Sequence, residues 1–308
     1  MPFAAVRSPI VLPWPLQQAA ESTARLLLDP GARRAPDFSR PLGEAALVPP
    51  DSVSWQVFKN PLALFIGGVA AVIMELAEPR VRTGVWDHTS FRTDPIRRLR
   101  RTGLAAMVTV FGARSAAEAM IARVRRMHAT IEGTTASGER YSATDPELLS
   151  WVQATAAYGF LQAYHAYVRP LSRTDRDRYY AEGLPAARLY GATRAPTSEA
   201  EVEMLFHATA GRLERSQVVF EFLSIMRSAP VLPLLLMPAQ DVLVRGAVAL
   251  TPPWVQTILG LRGYRPHPWE AEALRGTGAL ADRLVLASSP AVQACQRMRL
   301  PADYLYRR

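Results

Sequence analysis

The sequence predicts an all-α protein, and two observations support this fold class. Two long segments begin with an Asp-Pro pair, Asp94-Pro95 and Asp145-Pro146, in which the aspartate can cap a helix and the proline suits its first position. Apolar residues then recur at the helical period along most of the chain. Strand signals are confined to residues 133–141, whose two glycines are typical of a turn or short hairpin.

The proline distribution divides the chain into an arm and a domain. Residues 1–50 predict a proline-rich N-terminal arm that carries one short helix over residues 17–28. Residues 51–308 predict a single all-helical domain. A chain of 308 residues with 49% hydrophobic content is long enough to bury one large core. The first 15 residues lack the charged start and the uninterrupted apolar run of a signal peptide, so we expect a cytoplasmic protein.

Capping residues, prolines and glycines predict a succession of helices within the domain. Their approximate ranges are 52–59, 62–77, 95–111, 115–131, 146–167, 174–190, 198–212, 213–226, 239–250, 253–261, 269–274 and 280–287. The two most apolar stretches are residues 62–76, which include Glu75, and residues 231–250, which prolines and charges interrupt. Neither is an unbroken run of the roughly 20 apolar residues that a bilayer span needs, so we predict no transmembrane segment.

Composition and motifs exclude several functions. The net charge is +9, but Lys59 is the only lysine and the arginines are scattered without interleaved aromatic residues, which argues against nucleic-acid binding. The single cysteine, Cys295, excludes an intrachain disulfide and a cysteine-ligated metal cluster. The chain has no nucleophile elbow, phosphate loop, dinucleotide fingerprint or His-Glu-x-x-His motif. Its five histidines are too dispersed to predict a non-haem metal site.

One histidine occupies the apolar face of a predicted helix. At the helical period, His128 shares a side with Ile121 and Val124, whereas Arg125 and Arg126 point away. The imidazole is therefore predicted to face the interior. Two interpretations remain open from the residues alone: a neutral core histidine bonded to a carbonyl, or a metal ligand.

Several short motifs together resemble those of one family. In chain order they are Gly67-Gly68, Glu75 to Val81, Asp87 to Pro95, Arg98 to Thr102, Arg125 to Ala129, and Tyr141 to Thr155. Over residues 51–167 this order and spacing resemble the MpaB-like oxygenases, which include the catalytic domain of latex clearing protein, a rubber oxygenase. The resemblance implies a helical fold that encloses a haem pocket, with haem b as the cofactor. Because Cys-x-x-Cys-His is absent, that haem would be held non-covalently.

The same resemblance implies roles for individual residues. His128 matches the proximal iron ligand, and Arg98, Arg101 and Thr102 match residues near the haem, with Arg98 and Thr102 as catalytic candidates. Arg101 stands where the rubber oxygenase has a lysine, and an arginine has no lone pair to offer iron.

Two further positions depart from the family pattern. Glu78 and Gln153 stand where family members commonly carry histidine. We predict Gln153 to bind the cofactor from a buried helical face. For Glu78 two interpretations remain: a catalytic proton-transferring base that faces the cavity, or a residue at a helix C-terminus in solvent.

The implied activity is oxidation of a hydrophobic small molecule by dioxygen or peroxide, with cleavage of a carbon-carbon double bond as the candidate reaction. One alternative is a haem-dependent oxidase, dehydrogenase or peroxygenase in natural-product biosynthesis. Another is a haem-binding protein without catalysis, which the replacements at Glu78 and Gln153 would favour.

Overall fold

The computed structural model describes residues 8–18, 21, 36–230 and 237–307. It confirms the predicted all-α class, because the only sheet in these ranges has two short antiparallel strands. The elements are α1 (Val53–Phe58), α2 (Pro61–Glu75), α3 (Pro79–His88), α4 (Pro95–Phe111), α5 (Arg114–His128), β1 (Glu132–Thr134), β2 (Arg140–Ser142), α6 (Pro146–Tyr167), α7 (Arg173–Tyr190), α8 (Glu199–Thr209), α9 (Gln217–Ser228), α10 (Met237–Leu250), α11 (Pro253–Leu259), α12 (Pro268–Ala281) and α13 (Pro290–Arg297), with 3-10 turns at Ala210–Arg212 and Tyr304–Tyr306.

Helices α2 and α6 form the centre of the fold and contact each other more extensively than any other pair of described elements. Two glycines make this close approach feasible. A Cβ atom on Gly67 would lie 2.6 Å from the Cα of Phe160, and one on Gly159 would collide with the carbonyl oxygen of Gly67. Any larger residue at either position would push the two helices apart.

The helix starts follow from local sequence. Asp94 and Asp145 cap α4 and α6 by accepting hydrogen bonds from backbone N–H groups, and a proline occupies the first turn of each helix, as predicted. Helix α3 is absent from the helices that the sequence predicts. Glu78 caps α3 and Pro79 is its first residue. This start is like those of α4 and α6, with a glutamate in place of the capping aspartate.

The C-terminal region differs most from the prediction. Helix α12 continues to Ala281, past the predicted end at residue 274, because Gly278 lets it pack against the backbone of Tyr167. The predicted helix over residues 280–287 is wrong: residues 282–287 form a turn and an extended segment in which Leu284 pairs with Ile10 in an isolated parallel β-bridge. Helix α13 was not predicted.

Part of the segment predicted as an arm packs into the core. Phe38 and Val48 are buried, and the fully buried guanidinium of Arg297 donates hydrogen bonds to the carbonyl oxygens of Phe38 (2.7 Å) and Glu44 (2.9 Å). Residues 14–18 and 21 are helical. The rest of the helix predicted over residues 17–28 lies outside the described residues.

Within the described ranges, no individual helix combines the length and the apolar character needed to cross a membrane. Two consecutive pairs, α2 with α3 and α10 with α11, meet the length and composition criteria only when taken together, and they bend by 112° and 110°.

Candidate active site

A large cavity lies beside the central helix pair. Its volume is about 1960 Å³, and its walls are formed mainly by apolar side chains of α2, α4, α5, α6, α7, α10 and α12. Pockets for single small ligands usually span roughly 300–1,000 Å³, so this cavity has room for more than one molecule of that size. An apolar face of α6 lines it, including Leu149, Val152 and Phe160.

His128 is the last residue of α5, and its side chain lines this cavity. The imidazole has no hydrogen-bond partner among the described residues, although the backbone carbonyl accepts a bond from the N–H of Ile131. Burial and the nearby charge of Arg98 lower the pKa of His128. The ring is therefore neutral at pH 7, the form in which a histidine nitrogen can ligate a metal.

Helix α4 brings Arg98, Arg101 and Thr102 to the same cavity. The Arg98 guanidinium donates a hydrogen bond to the hydroxyl of Thr102, and that hydroxyl donates to the carbonyl oxygen of Arg98 at 2.9 Å. Arg98 is half-buried, with its guanidinium carbon 5.8 Å from the ring centre of Phe91, whereas Arg101 and Thr102 are exposed. The three predicted residues thus lie together, at the edge of the cavity rather than deep inside it.

Glu75, which the sequence reasoning did not select, also faces the cavity. It lies at the end of α2 on the face that carries Val72 and Gly68, three and seven residues earlier respectively, both of which line the cavity. Burial raises the pKa of Glu75 to about 7, and the positive charge of Arg98 opposes that rise. A carboxyl group with this pKa can hold or release a proton near neutral pH. The available signal was a single carboxylate within an otherwise apolar helix.

Glu78 lies neither in the cavity nor in solvent at a helix C-terminus, the two positions that the sequence left open. It is 1% exposed and does not line the cavity. One carboxylate oxygen accepts a hydrogen bond from the Val81 N–H at 2.9 Å, and the other accepts one from the Nε of buried Arg80 at 2.7 Å. Glu78 is therefore the N-cap of α3 and part of a buried ion pair, neither exposed at a helix C-terminus nor placed to act as a base in the cavity.

Gln153 lines the cavity from α6 opposite α7, and its amide has no hydrogen-bond partner among the described residues. Two further polar pairs contribute to the wall. His88 Nε2 lies 3.1 Å from the hydroxyl oxygen of Tyr141, and the hydroxyl oxygens of Thr109 and Tyr190 are 3.1 Å apart. These pairs satisfy each other, whereas the amide of Gln153 and the imidazole of His128 remain available to a bound molecule.

Across the described part of the chain, no group of three or more histidine, cysteine, aspartate or glutamate side chains is arranged to hold a metal ion. A metal bound at His128 would therefore take most of its ligands from a prosthetic group.

A large apolar cavity with a few polar groups on its wall is typical of a site that binds a small molecule. The sequence model described as the catalytic domain of the ER-bound oxygenase mpaB/B' and rubber oxygenase matches residues 55–283, well over half of the chain. The chain therefore belongs to this oxygenase family, as the sequence motifs predicted. No curated protein and no solved structure matches it.

Proposed function

We propose that the protein is a haem b-dependent oxygenase that acts on a hydrophobic small molecule. Family membership supports an oxygenase and hence an oxidoreductase. The observation that carries the haem assignment is the imidazole of His128, which faces the cavity in its neutral form without a partner among the described residues. A porphyrin supplies four nitrogen ligands and needs only one or two from the protein, so a single histidine is sufficient.

The surroundings of His128 fit a haem in size and charge. A cavity of about 1960 Å³ has room for a porphyrin together with a substrate. Arg98 and Arg101 at the cavity edge would pair with the propionate groups, for which guanidinium groups are well suited. Because a protonated arginine has no lone pair to offer, Arg101 would not serve as a ligand to the iron.

When bound, the haem would supply the binding and activation of dioxygen or peroxide. The protein's own residues would then control the environment of the reaction. The apolar walls exclude water and hold the hydrophobic substrate, while the Arg98 guanidinium, held by its hydrogen bond to the Thr102 hydroxyl, provides hydrogen-bond donors. Glu75 has a carboxyl group on the cavity wall with a pKa of about 7 and would hold or accept a proton at its carboxylate oxygen. We propose oxidative cleavage of a carbon-carbon double bond as the reaction.

The cofactor assignment is tested by the absorption spectrum of the purified protein. Wild-type protein should show a Soret band, and His128→Ala should lose it while the helical circular dichroism is retained. His88→Ala is the matched control, because His88 also lines the cavity but lies beside Tyr141. A Soret band of unchanged position and intensity in His128→Ala would refute ligation by this residue.

The activity is tested on the haem-loaded protein with a reductant, dioxygen and a panel of isoprenoids and conjugated dienes. An oxygenase should consume dioxygen only when a substrate is present and should place ¹⁸O from ¹⁸O₂ in the product. Substrate oxidation without ¹⁸O incorporation would identify an oxidase or dehydrogenase instead. A loaded protein that consumes no oxygen with any member of the panel would favour a haem-binding protein without catalysis.

A further inference from the structure

We propose that Gln153 determines substrate specificity by hydrogen bonding to an uncharged carbonyl or hydroxyl group on an otherwise apolar substrate. This inference rests on the proposed function, because it assumes that the substrate occupies the cavity. It narrows the substrate class from any hydrophobic molecule to an apolar ketone, ester or alcohol, as opposed to a pure hydrocarbon.

The Gln153 amide lies on an apolar part of the cavity wall. The residues around Gln153 on the cavity face of α6 are apolar: Leu149, Val152, Ala156 and Ala157. The side-chain amide can donate two hydrogen bonds and accept others, yet it has no partner among the described residues. A polar group on a largely apolar wall is unfavourable unless something in the cavity pairs with it.

The space beside this amide is open. Across from Gln153, α7 carries Gly183, and a methyl group there would come within 3.7 Å of the Gln153 Nε2 atom. The missing side chain leaves a recess in the wall at the point where the amide is exposed. A small group that enters this recess therefore comes next to the Nε2 donor of the amide, and Gln153 Nε2 is the only atom within 4 Å of that point.

No charged side chain of α7 lines the cavity. Tyr179 and Tyr180 line the cavity, and burial raises the pKa of both phenols, so each keeps its proton. A neutral oxygen on the substrate suits this surface. A carboxylate or an ammonium group would lose its hydration without gaining an opposite charge from these residues.

The experiment uses the haem-loaded protein without reductant, so that no turnover occurs. Binding of nonan-2-one and of its hydrocarbon analogue 2-methylnonane is measured by equilibrium dialysis with gas chromatography. The test variant is Gln153→Met, which keeps the length of the side chain and removes its hydrogen bonds. The matched control is Gln162→Met, because Gln162 lies nine residues later on the opposite face of α6, outside this cavity.

Gln153→Met should weaken ketone binding about fivefold, within the range of one neutral hydrogen bond, and should leave hydrocarbon binding unchanged. Gln162→Met should change neither. Equal changes for ketone and hydrocarbon in Gln153→Met, or the same selective loss in Gln162→Met, would overturn the inference. Should Gln153→Met unfold, Gln153→Asn takes its place, and the shorter amide should still lower the preference for the ketone.

Two further outcomes separate this inference from the haem assignment. Loss of the Soret band in Gln153→Met with an unchanged ketone preference would show that Gln153 serves the cofactor, which overturns the inference. A wild-type protein without haem that still prefers the ketone through Gln153 would refute only the proposed cofactor and would support the role of Gln153.

Discussion

Replacing Glu75 with glutamine should stabilise the folded protein at pH 8 and leave its stability unchanged at pH 4. In the folded protein this carboxyl group lies against an apolar cavity wall, which disfavours its charged form, whereas in the unfolded chain water solvates the charge. Because the folded state binds the proton more tightly, the stability of the wild type falls as pH rises from about 4.5 to about 7. Glutamine carries no charge, so the stability of the variant does not fall over this pH range for this reason.

The size of the effect follows from the pKa. Burial raises the pKa of Glu75 from 4.5 to about 7, and one unit of pKa corresponds to about 1.36 kcal/mol. The ionised carboxylate therefore costs the folded state about 3 kcal/mol at pH 8. Unfolding entropy is about 2.1 cal/mol/K per residue, so for a chain of 308 residues this free energy corresponds to a rise in melting temperature of roughly 5 °C.

Calorimetric melts of wild type and Glu75→Gln between pH 4 and pH 8 measure this difference. The control is Glu118→Gln, since Glu118 is exposed on α5 and its 3.9 Å ion pair with Arg114 spans one helical turn. It should change stability by no more than about 0.5 kcal/mol at any pH. A stability difference for Glu75→Gln that is the same at pH 4 and pH 8 would refute the raised pKa and, with it, the role of Glu75 as a proton-holding group.

Three further predictions concern the cap, the helix contact and the cofactor. Glu78→Ala should lower the free energy of unfolding by about 3–5 kcal/mol in urea titrations, because it removes the cap of α3 and leaves a buried arginine without its nearest carboxylate; retained stability would contradict the buried ion pair. Gly67→Ala should destabilise by at least about 1–3 kcal/mol through overpacking, whereas Gly68→Ala, whose nearest contact would be 3.7 Å away, should be tolerated. Arg98→Ala should release haem faster than wild type in transfer assays to apomyoglobin, and Arg97→Ala, an exposed neighbour that does not line the cavity, should not; equal release rates would exclude a contact between Arg98 and the propionates.

The parts of the fold that were predictable are those fixed by neighbouring residues. Asp94 and Asp145 each precede a proline, and the cap geometry involves only the next three residues, so both helix starts were correct. The extent of α12 was not predictable in this way. That helix continues past residue 274 because Gly278 packs on the backbone of Tyr167, a contact between residues more than a hundred positions apart.

In the candidate site, too, the features that depend on local sequence were predictable and those that depend on tertiary packing were not. The inward face of His128 follows from the helical period of α5 alone, and the structure places the side chain in the cavity. Glu78 and Glu75, by contrast, are only three residues apart in the sequence but lie in different environments. Glu78 is sequestered by Arg80 and the start of α3, whereas Glu75 faces the cavity. Composition and spacing did not separate them, because the difference arises from where α3 turns away from α2.

Arg98 affects the pKa values of two cavity residues, His128 and Glu75, that lie on different helices. Its positive charge lowers the pKa of His128, which favours the neutral imidazole that a metal requires, and it also opposes the rise in the pKa of Glu75. The pKa of Arg98 is itself lowered by burial and by Arg101, but a guanidinium so basic stays charged. One arginine on α4 therefore shifts the pKa values of both the histidine and the carboxyl group. A change at Arg98 consequently alters the chemistry of the cavity at two points, even though α4 carries neither of those groups.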